Sequence, residues 1–244
     1  MKKIMGIDVE ELTKKFPAAA EYLIEIFITN RDYGLVKNSV IASRLGVSKP
    51  AVTQAMNRLK KYGLIEQDLY GLINLTGAGR ITASRLLKRH YLIEHLLISS
   101  LDYHWVKSDI EASRLQAAIS DDFAYFLFDK LGKPDTCPHG NPFPGSERES
   151  EILEAPRLCT AAADATLSVV RITEEGEAAE GLLQFCYENN IRPERRIRVV
   201  EICNEEGILV LLENEKELFI PQAFAEYICC SKPAAVLTAK GSSK

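Results

Sequence analysis

The chain has 244 residues, 46% of them hydrophobic and 26% charged, with a formal net charge of −4. That composition is globular, is long enough for more than one core, and excludes a disordered or fibrous chain. No apolar run approaches the ~20 residues that span a bilayer, and the N-terminal MKKIMGIDVEELTKK turns acidic before a signal-peptide core could form. Six cysteines without CxxC spacing fit a reduced, cytoplasmic protein.

In chain order, residues 18–30 (AAAEYLIEIFITN) predict an amphipathic helix entered after Pro17, with Tyr22, Leu23, Ile26 and Phe27 on its apolar side. Residues 37–75 predict two short helices, a tight turn and a β-ribbon. Asn38 or Ser39 is expected to cap the first helix, Gly46 to end it and Val47 to plug the turn. Ser48 caps the second helix, Pro50 occupies its first turn and Gly63 stops it. Ile65 and Ile73 begin two β runs joined across Asp68–Gly71. Helix, turn, helix, ribbon is the order of a winged helix-turn-helix.

The second helix puts Val52, Ala55, Met56, Leu59 and Tyr62 on one face and Lys49, Thr53, Gln54, Asn57, Arg58, Lys60 and Lys61 on the other. Residues 37–62 include Lys37, Arg44, Lys49, Arg58, Lys60 and Lys61 and no acid. A merely solvated face would mix its signs. Single-sign charge interleaved with hydroxyls and amides suits double-stranded DNA, where cations neutralise phosphates and short polar groups reach base edges. Ser48, Lys49, Thr53, Gln54 and Asn57 are assigned to base edges or nearby phosphates. Arg44, Arg58, Lys60 and Lys61 are assigned to the backbone. Lys37, Ser39 and Pro50 complete the candidate DNA-binding set. A winged helix that docks another protein is the rival reading, and the acid-free face argues against it.

Beyond the wing, Thr76 caps a long predicted helix through Leu101, whose first part adds Arg80, Arg85, Lys88 and Arg89 and extends the basic surface. Further helices are expected over Ser108–Ile119 and from Ser120 to Gly132. Tyr125, Phe126 and Phe128 suit either a homodimer surface or a core. Residues 133–146 are a Pro- and Gly-rich loop, and the stretch to about Ala163 reads as a linker with a short helix. Period-two runs TLSVVRI, RIRVVEI, GILVLLE and KELFI then predict a small acidic β domain with a helical insert. The fold class is mainly α with a small β domain. The expected divisions are 1–76 (winged helix-turn-helix), 77–146 (helical dimerisation and metal-binding), 147–163 (linker), 164–232 (β domain) and 233–244 (disordered tail). No GxSxG, P-loop, HExxH or dinucleotide motif points to an enzyme.

The segments IASRLGVSKPAVTQAMNRLKKYGLI, LTGAGR, KRHYLIEHLL (residues 88–97) and CPHGNPFPG (residues 137–145) together resemble the diphtheria toxin repressor and manganese-transport regulator family. The β-rich end is similar to the SH3-like (FeoA-like) third domain of its long members. The resemblance implies a homodimeric repressor of metal-homeostasis genes on a palindromic operator, with Fe²⁺ or Mn²⁺ as corepressor. His90 and Glu94 stand where the family has a His and a Glu one turn apart, and Asp109 where some members have a third, His ligand. Glu177 or Glu180 falls in the insert that supplies further acids in the longest members. The family's other site is degraded: its ligand positions on the later helix are Ser113, Gln116 and Ala117, although Glu21 aligns with its donor on the N-terminal helix. The resemblance therefore implies binding at His90 and Glu94. A regulator that binds DNA without metal, or answers to another ligand, is the alternative.

Overall fold

A computed structural model describes residues 7–232 except Tyr70 and Asn204. The expected tail, 233–244, and the first six residues lie outside the described residues. The chain divides into two compact units. The first runs to Pro138 and takes in Pro142–Glu149; the second takes in His139–Asn141 and continues from Ser150.

In the first unit, α1 (Val9–Lys15) is capped by Asp8, which accepts from the amides of Glu10 and Glu11. Helix α2 (Ala19–Tyr33) is longer than its apolar run suggested, and its buried side includes Tyr22, Leu23, Ile26 and Phe27. Helices α3 (Asn38–Arg44) and α4 (Lys49–Lys61) form the helix-turn-helix. Ser48 Oγ accepts from the Ala51 amide, as expected. At α3 the expected caps are wrong. Lys37 holds the cap position without a side-chain bond, and Asn38, already helical, turns its amide to Thr53 and Gln67 instead.

Gly46, at φ +63°, lets α3 close with the Val47 amide on Ala42 O (3.0 Å) and its own on Ser43 O (3.3 Å). Gly63 ends α4 in the same way, with the Leu64 amide on Leu59 O at 3.0 Å. Val47 does not plug the turn: it is 36% exposed. Leu45 packs against the core there, because the Gly46 reversal carries the next side chain outward.

Strands β1 (Ile65–Gln67) and β2 (Ile73–Leu75) pair antiparallel, Ile65 opposite Leu75. Thr76 caps α5 (Gly77–His95) through the Gly79 amide, while its hydroxyl donates to Gly63 O at 2.7 Å. The expected helical run reaches Leu101, but not as α-helix throughout. It passes into one π-helical turn, Leu96–Ser100, the kind of irregularity that accompanies functional sites. A 3₁₀ turn (Trp105–Lys107) leads into α6 (Ser108–Leu115), which stops short of the expected Ile119. Helix α7 (Asp121–Lys130) is capped by Ser120.

Helix α8 (Glu149–Leu153) precedes the second unit's sheet. That sheet has the order β6-β5-β4-β3-β7 and is antiparallel throughout. Its strands are β3 (Thr166–Ile172), β4 (Arg196–Cys203), β5 (Gly207–Leu212), β6 (Glu217–Pro221) and β7 (Ile228–Cys230). Helices α9 (Glu174–Glu177) and α10 (Leu182–Glu188) form the insert between β3 and β4, and α11 (Gln222–Ala225) precedes β7. The sequence reading omitted β7, a three-residue strand with all its side chains buried. Such a short run has no alternation to detect. His139–Asn141 docks on the end of β3: the Ile172 amide donates to His139 O at 2.9 Å, and Asn141 Nδ2 donates to Ile172 O at 2.8 Å.

Candidate metal centre and reading face

Helix α5 presents His90 and Glu94 one turn apart, both buried, and α6 brings Asp109 opposite them. His90 Nε2 is 3.2 Å from Asp109 Oδ1 and 3.8 Å from Glu94 Oε1. One ligand atom from each of the three lies within 4.8 Å of the others. Burial pulls the His90 pKa down, but the hydrogen bond that the imidazolium donates to Asp109 and the charges of Glu94 and Asp109, with the Gln116 bond, push it up to about 9.

The donor set fits a hard-to-borderline first-row dication. It offers one imidazole and two carboxylates. With both carboxylates ionised and His90 neutral the cluster carries −2, which a dication cancels and a single proton does not.

The structure brings these three together, and Glu21 of the same unit is not among them. Glu21 is exposed in the first turn of α2, and Glu180 is exposed between α9 and α10. Glu177 faces His139 (Oε2 to Nδ1, 3.4 Å) and accepts from Asn141. Of the degraded positions, Ser113 and Ala117 are half-buried. Gln116 is turned to the cluster: its Oε1 lies 3.1 Å from His90 Nδ1. Sequence reasoning missed that contact, because the two residues are 26 apart and sit on different helices. His95 reaches the Thr136 carbonyl at 2.6 Å, and His104 accepts from the Val106 amide at 3.3 Å.

On α4 the apolar and polar faces separate as the period implied. Val52, Ala55, Met56 and Leu59 are buried, and Ser48, Lys49, Pro50, Thr53, Gln54, Asn57, Lys60 and Lys61 are exposed, as are Lys37 and Ser39. Lys49, Pro50, Thr53, Gln54 and Asn57 line one shallow depression. An amide relay ties wing to helix: Lys60 Nζ donates to Gln67 Oε1 (3.3 Å), Gln67 Nε2 to Asn38 Oδ1 (3.3 Å), and Asn38 Nδ2 reaches Thr53 Oγ1 (3.5 Å).

Two of the arginines assigned to the DNA backbone have partners within the protein. Arg44 pairs with Glu25 and lies 5.2 Å over the Tyr33 ring. Arg58 lies 4.2 Å over Phe16 and donates to the Lys15 carbonyl. Both guanidinium groups hold the fold of the reading head. The basic surface also thins past the wing, since Arg85 and the buried Arg89 both pair with Asp121. Arg80 and Lys88 remain exposed.

Two family profiles match the chain. "Iron dependent repressor, N-terminal DNA binding domain" covers residues 16–71. "Iron dependent repressor, metal binding and dimerisation domain" covers residues 76–145. The diphtheria toxin repressor of Corynebacterium efficiens is 31% identical over 185 residues, 71% of this chain and 77% of that protein. The iron-dependent repressor IdeR of Mycobacterium tuberculosis is 27% identical over 201 residues, 79% and 87% of the two chains. Among solved structures, a manganese-dependent transcriptional repressor in complex with manganese superimposes with TM-score 0.76 at 27% identity, over 88% of this chain and 99% of that one. ScaR with bound Zn²⁺ gives TM-score 0.70 at 25% identity, over 88% and 99%.

Proposed function

The chain belongs to the iron-dependent repressor family, and we propose that it represses metal-homeostasis genes as a homodimer on a palindromic operator, with Fe²⁺ or Mn²⁺ held by His90, Glu94 and Asp109. The observation that carries this reading is the convergence of those three side chains, two buried and the third half-buried. A bound dication supplies the charge that offsets the two carboxylates.

The chain's own residues account for the link to DNA. The helix that carries His90 and Glu94 begins at the reading head, where Thr76 bonds to Gly63 at the end of α4. Nineteen residues of α5 span roughly 28 Å at 1.5 Å per residue. A tilt or rotation fixed at His90 is therefore delivered to the corner that supports α4 and the wing. Coupling follows if the ion binds the DNA-competent arrangement better than the other.

On DNA, α4 enters the major groove with Ser48, Lys49, Thr53, Gln54 and Asn57 towards the bases. Lys37, Lys60 and Lys61 face phosphates. Two such helices in a twofold dimer require an inverted repeat with half-sites one or more duplex turns apart.

Operator binding measured with and without chelator, across Mn²⁺, Fe²⁺, Co²⁺ and Zn²⁺, tests the reading. Affinity restored by Fe²⁺ or Mn²⁺ and lost in His90→Ala supports it. Affinity indifferent to chelator favours a metal-independent regulator.

A further inference from the structure

Gln116 holds the C-cap of α6, its backbone amide bonded to Ala112 O at 2.8 Å. Its side chain is therefore anchored at the root, and the residue is only 2% exposed. Oε1 lies 3.1 Å from His90 Nδ1, while the opposite ring nitrogen, Nε2, faces Asp109 and Glu94. An amide oxygen only accepts, so the hydrogen in this bond belongs to Nδ1. A neutral imidazole has a single N–H. With that hydrogen at Nδ1, the lone pair is at Nε2 and points at both carboxylates.

We propose that Gln116 is a positioning residue of the metal centre: it fixes the rotation of His90 and its Nδ1–H tautomer, so that Nε2 is the ligand atom. The inference rests on the metal-centre reading above. The amide suits the task because it accepts the hydrogen bond without bringing a third negative charge to a site that already holds two carboxylates. With the amide reversed, its NH₂ would donate to Nδ1, and Nε2–H would point at Asp109. Nε2 would then have no lone pair for an ion. The two arrangements make opposite statements about which nitrogen coordinates, and that is measurable. Outer-shell partners of ligating histidines commonly contribute roughly 10–100-fold in metal affinity.

The test uses the full chain labelled with ¹⁵N-histidine, Zn²⁺ as a diamagnetic probe for NMR, and calorimetry with Zn²⁺ and Mn²⁺. Wild type should show His90 coordinated through Nε2 with hydrogen on Nδ1. Gln116→Leu should bind roughly 10–100-fold more weakly and lose the single tautomer. Gln116→Met, closer in shape, should do the same if the leucine variant folds poorly. Gln116→Glu, which keeps an acceptor at Nδ1, should restore Nε2 coordination. Coordination through Nδ1 in the wild type overturns the proposal. So does unchanged affinity with unchanged Nε2 coordination in a folded Gln116→Leu or Gln116→Met. A wild type that binds neither ion overturns the metal-centre reading, and this inference with it; calorimetry on the wild type alone separates that failure from the others.

Discussion

His90 Nε2 stands 3.2 Å from Asp109 Oδ1 across the α5–α6 packing, so a metal ion held there as proposed would compete with a proton for the same nitrogen. Burial opposes the imidazolium, but Asp109 and Glu94 outweigh it and raise the pKa from 6.5 to about 9. A folded pKa above the unfolded one stabilises the metal-free protein fully below pH 6.5, and this contribution is lost as pH rises through about 9. A metal at Nε2 must displace that proton. Well below pH 9, each ion bound should release close to one proton from His90, falling to half a proton at about 9, and apparent affinity should rise with pH and then level off. Calorimetry in two buffers of different ionisation heat gives the proton count. An undiminished count in His90→Ala would refute the assignment.

Arg58 and Lys61 lie three residues apart on α4 and should behave differently on substitution. Arg58 is stacked over Phe16 and bonded to Lys15 O, so Arg58→Ala should lower thermal stability by about 1 kcal/mol as well as weakening DNA binding. Lys61 is exposed. Lys61→Ala should leave the melting temperature unchanged and make the plot of log affinity against log salt shallower by roughly 1. Gln54→Ala should instead cost ~1–3 kcal/mol at one base position and leave the salt slope alone. Melting curves combined with a salt series on operator and scrambled DNA separate the three; identical behaviour of Gln54→Ala and Lys61→Ala would remove the assigned reading face.

Gly79 sits in the first turn of α5 against the Leu64 carbonyl. A Cβ there would overlap the carbonyl oxygen and lie 2.8 Å from its carbon. The neighbour is backbone at the corner of α4 and β1, which cannot move aside alone. Gly79→Ala should therefore push α5 away from the reading head, at a cost of ~1–3 kcal/mol or more. Urea unfolding checks the stability, and operator affinity at a temperature where the variant is folded checks the coupling. Unchanged values of both would mean that α5 is not braced at this corner.

What the sequence disclosed was what local physics decides. Ser48, Thr76 and Ser120 each cap the helix that follows them, and Gly46, Gly63 and Gly132 take positive φ past helix ends. Burial along α4 follows its period. The misreadings concern partners fixed by tertiary packing. Asn38 had the composition of a cap, but Thr53 and Gln67 hold its amide. Arg44, assigned to the DNA backbone, also pairs with Glu25 of a different helix. His90 and Glu94 could be paired from their spacing, whereas Gln116 belonged to no pattern: its contact depends on where α6 ends, and it ends at Leu115. A hydrophobic or charge period states which face a residue occupies, but not what lies opposite.

Helix α7 exposes Phe123, Tyr125 and Phe126, with Tyr125 77% exposed. Phe123 and Phe126 stack at 6.4 Å between centroids, and Lys130 lies 5.6 Å from the Phe126 ring centre. Such a cluster of rings on a single helix is unfavourable in water unless something covers it. The family profile over residues 76–145, which includes α7, is that of a dimerisation domain. A twofold contact uses the same patch on both copies, so one added charge is met by its own symmetry mate. Phe126→Glu should therefore shift the chain towards monomer at micromolar concentration with little loss of monomer stability, because the side chain is already half-exposed. Operator affinity should fall steeply, while binding to a single half-site at the same salt should change little, since α4 and the wing are untouched. Analytical ultracentrifugation reads the first effect and a full-site versus half-site titration reads the second. A Phe126→Glu protein that remains dimeric with wild-type operator affinity would place the dimer contact elsewhere.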